Sequence, residues 1–143
     1  MKFKSGTKLA SLLVVASIAL ACPTSANEAD EDAAVAASKQ WLAIVDKGQF
    51  GQCWDQTASF FKANVKKKDF EVKLKASRGQ FGDLVNRKLK VKKFTTTMPG
   101  APDGKYVVIQ YDTSFAQKKD AVETITPMLD KDGKWKVSGY FIK

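Results

Sequence analysis

The last third of the chain admits few folds. Tyr106–Phe115, residues 121–129 and Trp135–Ile142 are rich in β-branched and aromatic residues, and turn formers bound each of them. Asp132-Gly133 between the last two is a strong hairpin signal. Such spacing predicts three antiparallel strands in series, one face of which must be covered. On the last strand Trp135, Val137, Gly139 and Phe141 alternate with Lys134, Lys136, Ser138 and Tyr140. The first set is expected to face the cover. On the middle strand Ala121, Glu123, Ile125 and Leu129 share a face, and Pro127 implies a sheet edge or a bulge.

The upstream residues supply the cover. Residues 27–47 read as a helix with an acidic start at Glu28, Asp30, Glu31 and Asp32 and an apolar stripe of Ala34, Ala37, Trp41, Ile44 and Val45. Gly48 is placed to end it. Residues 50–62 read as a second helix presenting Phe50, Cys53, Trp54, Thr57 and Phe61. Residues 65–81 read as a third, with Phe70, Leu74, Ser77 and Phe81 inside and Lys66, Lys67, Lys68, Lys73 and Lys75 outside. Residues 84–97 alternate Leu89 and Val91 with Lys88, Lys90 and Lys92, the pattern of a first strand whose lysines discourage edge-to-edge pairing. The Pro- and Gly-rich residues 98–104 form a turn without the spacing of a phosphate-binding loop. The fold class expected is α+β: three N-terminal helices packed on a curved four-stranded antiparallel sheet.

Residues 1–26 have the form of a targeting segment. Lys2, Lys4 and Lys8 precede an apolar run over residues 9–21, too short to span a bilayer comfortably. Thr24, Ser25 and Ala26 suit cleavage before Asn27, so residues 27–143 form the expected domain. Alternatively, Ala19-Leu20-Ala21 before Cys22 loosely resembles a lipoprotein box, in which Cys22 carries lipid. The expected location is periplasmic or secreted, or lipid-anchored at Cys22, and no later segment is apolar enough to cross a membrane. Either way Cys53 is left without a disulfide partner and reads as a small buried hydrophobe.

Chemistry is constrained by what is missing. The 143 residues contain no histidine, which removes the commonest general base and metal ligand. No metal or cofactor site is read. Of the formal +9 charge, +3 lies in the first 26 residues and +6 on the rest, a balance that favours anionic surfaces. Nucleic-acid binding is not expected, because few aromatics interleave with the lysines. Glu123 is the unusual residue: a carboxylate on a covered face must be paired or protonated. Arg78 and Arg87 are the candidate partners by type. The structural reading is a buried ion pair. The functional reading is a pocket floor where Glu123, Arg87 and a tyrosine meet a polar ligand.

Four stretches carry a family resemblance: residues 41–48 (Trp-Leu-Ala-Ile-Val-Asp-Lys-Gly), residues 99–104 (Pro-Gly-Ala-Pro-Asp-Gly), residues 123–126 (Glu-Thr-Ile-Thr) and residues 132–143 (Asp-Gly-Lys-Trp-Lys-Val-Ser-Gly-Tyr-Phe-Ile-Lys). Taken in order, they resemble the bacterial secreted family catalogued as domain of unknown function 4019. The element order more distantly resembles the nuclear transport factor 2-like (cystatin-like) architecture, which implies helices lying in the concavity of a curved, cone-shaped sheet. That architecture includes isomerases, dehydratases and many binding modules, so it selects no function. Its enzymes typically use Asp and His pairs, and His is absent here. The leading expectation is an exported, non-catalytic protein that binds a small ligand or an envelope protein between helices and sheet. One alternative is a small acid–base enzyme using Glu123, with Arg87 or Tyr111 stabilising negative charge. Another is a basic surface for anionic lipid or polysaccharide.

Overall fold

The computed structural model describes residues 25–143, so Cys22 and all but the last two residues of the expected leader lie outside the described residues. Four helices precede four strands: α1 (Ala26–Asp46), α2 (Phe50–Asp55), α3 (Ser59–Asn64), α4 (Lys67–Gly79), β1 (Leu84–Thr95), β2 (Tyr106–Phe115), β3 (Lys118–Leu129) and β4 (Trp135–Ile142). The strands form one open antiparallel sheet in the order β1-β2-β3-β4. The α+β class is as the sequence predicts, with four helices in place of three.

Helix α1 lays Ala34, Val35, Ser38, Trp41, Leu42 and Val45 against the sheet, a stripe at three- and four-residue spacing. The Ser25 hydroxyl caps its start by accepting from the Glu28 N–H. At its end the Gly48 and Gln49 N–H groups return to the carbonyls of Val45 and Ile44. Gly48 adopts φ 71°, the left-handed turn such a stop requires. Ala34, Val35, Trp41, Leu42 and Val45 join Cys53, Phe70, Leu74, Val107, Ile109, Tyr111, Ile125 and Val137 in one core.

The second expected helix divides at Thr57. Its periodicity is helical throughout, but residues 57–58 leave the helix to pair with the outer edge of β4. Thr57 forms a parallel bridge with Val137, and the Ala58 N–H donates to the Val137 carbonyl at 2.8 Å. A sheet edge needing partners outweighs local helix propensity here. Helix α4 is shorter than expected at both ends. Its buried stripe is Phe70, Leu74 and Arg78. Phe81 lies beyond the helix and stacks on Phe115 at 5.6 Å.

Three strand readings need correction, each because the ladder departs from strict alternation. In β1 an extra residue at Lys90 separates Leu89, opposite Tyr111, from Val91, opposite Gln110. Arg87 and Leu89 face the helices before that bulge, Lys92 and Phe94 after it. Leu89 and Val91 therefore do not share a buried face, and both are exposed. In β4 the shift falls at Ser138, since Val137 pairs with Pro127 and Gly139 with Thr126. Val137 and Tyr140 thus face the helices while Phe141 turns to solvent. Pro127 lies at this bulge on an interior strand, not at an edge. Strand β3 begins at Lys118, three residues before its apolar run. Phe115 pairs with Lys118 there, and the ladder carries polar residues that composition assigns to a turn.

The β3–β4 hairpin is anchored to α3 by Asp130. Its carboxylate accepts from the Ser59 hydroxyl at 2.5 Å and the Ser59 N–H at 3.0 Å, and so caps α3 from a distant part of the chain. The Lys131 N–H and the Lys136 ammonium complete its shell. Burial would raise the Asp130 pKa, but these hydrogen bonds outweigh it and hold the group below its ordinary 3.8. A depressed folded-state pKa stabilises above the unfolded value and is lost as pH falls through the folded one. Asp130→Asn should therefore lower stability by roughly 1–3 kcal/mol at pH 7. The gap between the two proteins should close on acidification below about pH 4. Urea melts at pH 7 and pH 3 check this; an equal gap at both would contradict it.

Candidate functional site

Glu123 sits on β3 with none of its surface exposed. Its Oε2 accepts from Arg87 Nε at 2.5 Å and Thr113 Oγ1 at 2.6 Å. Its Oε1 accepts from Arg87 Nη2 at 3.1 Å and from the Tyr140 hydroxyl at 2.6 Å. The far side of the Arg87 fork binds Asp46, with Nη1 to Oδ2 at 2.7 Å and Nη2 to Oδ1 at 3.0 Å. Arg78 Nη2 reaches the same carboxylate at 3.2 Å, and the Arg78 guanidinium stacks on Phe115 at 4.3 Å. Two carboxylates and two guanidiniums cancel, as burial demands. Asp46 ends α1, where a carboxylate opposes the helix dipole. The two arginines account for its presence.

Burial alone would lower the Arg87 pKa. The hydrogen bonds to Asp46 and Glu123, and the charges behind them, outweigh burial and raise it. Burial raises the Tyr140 pKa, and the charge of Glu123 and the bond to it raise it further. Both groups hold their protons throughout the neutral range.

The network therefore brings Glu123 and Arg87 together as the sequence predicts, and adds a tyrosine. That tyrosine is Tyr140, not Tyr111. The Tyr111 hydroxyl pairs with Ser38 at 2.8 Å inside the core, and burial is the main cause of its raised pKa. Arg78 joins through Asp46 and makes no bond to Glu123. Sequence reasoning misses Tyr140 because the bulge at Ser138 reverses its face; Pro127 on the partner strand and Gly139 within β4 are the signals of it. It also misses Asp46, which reads as an ordinary helix end.

Beside the network, and separated from Glu123 by the Tyr140 ring, lies a groove of about 380 Å³ between α3, α4 and β4. Trp41, Phe61, Phe70, Leu74, Tyr140 and Ile142 are among the residues of its wall. The Tyr140 ring meets Trp41 edge-on at 5.2 Å, and Trp41 lies 6.4 Å from Phe70. A smaller cleft of about 280 Å³ lies between Lys39, Asp46, Arg87 and Tyr111, where the ion pairs approach solvent.

Other candidates resolve simply. Cys53 is buried, and burial is the main cause pushing its thiol up to about 12. Among the described residues no group of three or more His, Cys, Asp or Glu could hold a metal ion. Of the β1 lysines, Lys90 pairs with Asp112 at 2.9 Å and Lys92 with Asp32 at 2.5 Å, which neutralises much of the expected basic row.

Residues 37–140 match the family described as protein of unknown function (DUF4019). The chain belongs to this family. The match takes in Asp46, Arg78, Arg87, Glu123 and Tyr140, so the whole charge network lies within the family domain. No curated protein matches the chain.

Removing either partner of the central pair leaves an uncompensated buried charge. Glu123→Gln and Arg87→Met should each cost about 3–5 kcal/mol in a chemical melt. A loss under about 0.5 kcal/mol, the range of an ordinary surface substitution, would show that the network does not hold the fold. Cys53 should react with a thiol reagent at pH 8 only as fast as the protein opens, and at the free-thiol rate in denaturant.

Proposed function

We propose that this DUF4019 protein is a non-catalytic binding module that holds the apolar part of a small ligand in the groove between α3, α4 and β4. The observation that carries the reading is the pairing of an aromatic-walled groove with a charge network whose two carboxylates are already taken by arginines. A groove of about 380 Å³ is within the range of small-ligand sites, which are mostly apolar with a few polar groups. The wider architecture suggested by the element order commonly places pockets between helices and sheet, in agreement with this reading.

The acid–base alternative gains no such support. A general base must reach the proton it takes. Glu123 is enclosed and already accepts four hydrogen bonds, and Tyr111 is held by Ser38.

Export is part of the proposal. The basic start and short apolar run of residues 1–26 support a signal peptide, and no helix among the described residues is long and apolar enough to cross a membrane. Cleavage before Asn27 would remove Ser25 and with it the cap of α1. The turn released carries no buried residue before Ala34, so the core packing is untouched.

An uncharged probe tests the groove. N-phenyl-1-naphthylamine should bind saturably with a rise in its emission. Ser77→Phe, which projects a ring into the groove without touching the network, should weaken that binding at least tenfold at unchanged melting temperature. Absence of saturable binding, or equal binding by the variant, would refute the assignment.

A further inference from the structure

We infer that the groove selects an amphipathic carboxylate, with Lys73 as its counter-charge. This rests on the groove being a ligand site and concerns what that ligand carries at its polar end.

The side-chain donors around the groove are nearly all spent. Trp41 Nε1 donates to the Cys53 carbonyl at 3.0 Å, and the Tyr140 hydroxyl to Glu123. Both aromatic groups thus turn their polar atoms inward and present apolar faces to the groove. The Thr57 hydroxyl donates to the Trp54 carbonyl at 2.7 Å and the Ser77 hydroxyl to the Leu74 carbonyl at 3.1 Å. Hydroxyls that donate to carbonyls keep only acceptor capacity.

Lys73 remains. It lines the groove from the exposed side of α4, and among the described residues no carboxylate lies within salt-bridge distance of it. Asp69, one turn earlier on α4, is beyond that distance. Among the described residues no Asp or Glu lines the groove. The outer backbone edge of β4 offers donors and acceptors alike and so does not discriminate. One ammonium at the rim of an apolar wall, with no carboxylate in that wall, favours a ligand whose tail fills the groove and whose head is an anion. A cationic head would meet Lys73 with no compensating carboxylate, and a neutral head would gain less from the ammonium.

Competition against bound N-phenyl-1-naphthylamine tests this with decanoate and decanol, which share a ten-carbon chain. Decanol is the more apolar, so burial alone ranks it first. If Lys73 selects the anion, decanoate should compete at roughly tenfold lower concentration in low salt, the effect of one charge-assisted hydrogen bond. That preference should shrink at 0.5 M NaCl and vanish or invert in Lys73→Glu, an exposed substitution not expected to perturb folding. Decanol competing as well as decanoate, or a preference that survives Lys73→Glu, overturns the inference while leaving the groove as a site. Failure of the wild-type protein to bind the naphthylamine probe, decanoate or decanol removes the site itself.

Discussion

Arg87 lies between two carboxylates, and much of the molecule is arranged to make that position tolerable. Withdrawing four charges from water costs several kcal/mol each, which mutual attraction repays only with good geometry and satisfied lone pairs. Around Asp46, Arg87 and Glu123 those conditions are met by distributing the partners, while the buried Arg78 Nε is left without an acceptor. Asp46 comes from the end of α1, Arg78 from the end of α4, Arg87 from β1, Thr113 from β2, Glu123 from β3 and Tyr140 from β4. None of these six elements can shift along its neighbour without disturbing a contact to a buried charge. An apolar cluster is satisfied by many registers; this cluster is satisfied by one.

Tyr140 links that constraint to the groove. Its hydroxyl is fixed by Glu123 and its ring by the edge of Trp41, so the wall facing the groove is held on two sides. Trp41 is held in turn by the Cys53 carbonyl. A wall of pre-oriented rings loses little conformational freedom when a ligand arrives, and such preorganisation converts buried area into affinity. On the proposed reading, the charge network bears on binding without touching the ligand.

Much of this fold is readable where periodicity is locally determined. The limits of β2 and β4, the stop of α1 at Gly48 and the Asp132-Gly133 turn all follow from residues within a few positions of one another. So does the assignment of Glu123 to a covered face, since Ala121, Glu123 and Ile125 lie between the register shift that follows Lys118 and the one at Pro127. Reading fails where a distant partner sets the geometry. Thr57 leaves its helix because Val137 needs an edge partner, and Lys90 falls out of register against β2. The groove gathers residues from Trp41 to Ile142, and no window of sequence contains it.

The bulge at Ser138 shows how such an irregularity decides which side chain completes the buried network. In an unbroken strand Val137 and Phe141 would share the inner face, and Tyr140 would point to solvent. Phe141 would then approach Glu123 with a ring that has no proton to donate, leaving one carboxylate oxygen short of a partner. One extra residue re-aims the strand so that Val137 still reaches the core and a phenol replaces the phenyl ring. The sequence accommodates the bulge twice over. Pro127, opposite Val137, has no N–H to lose from the ladder, and the Val137 carbonyl turns outward to Ala58. Ser138 then ties the bulge down through its hydroxyl to the Thr126 carbonyl at 2.8 Å. Proline, serine and glycine, read singly as weak strand formers, together place the one hydroxyl that both completes the buried charge network and builds the groove wall.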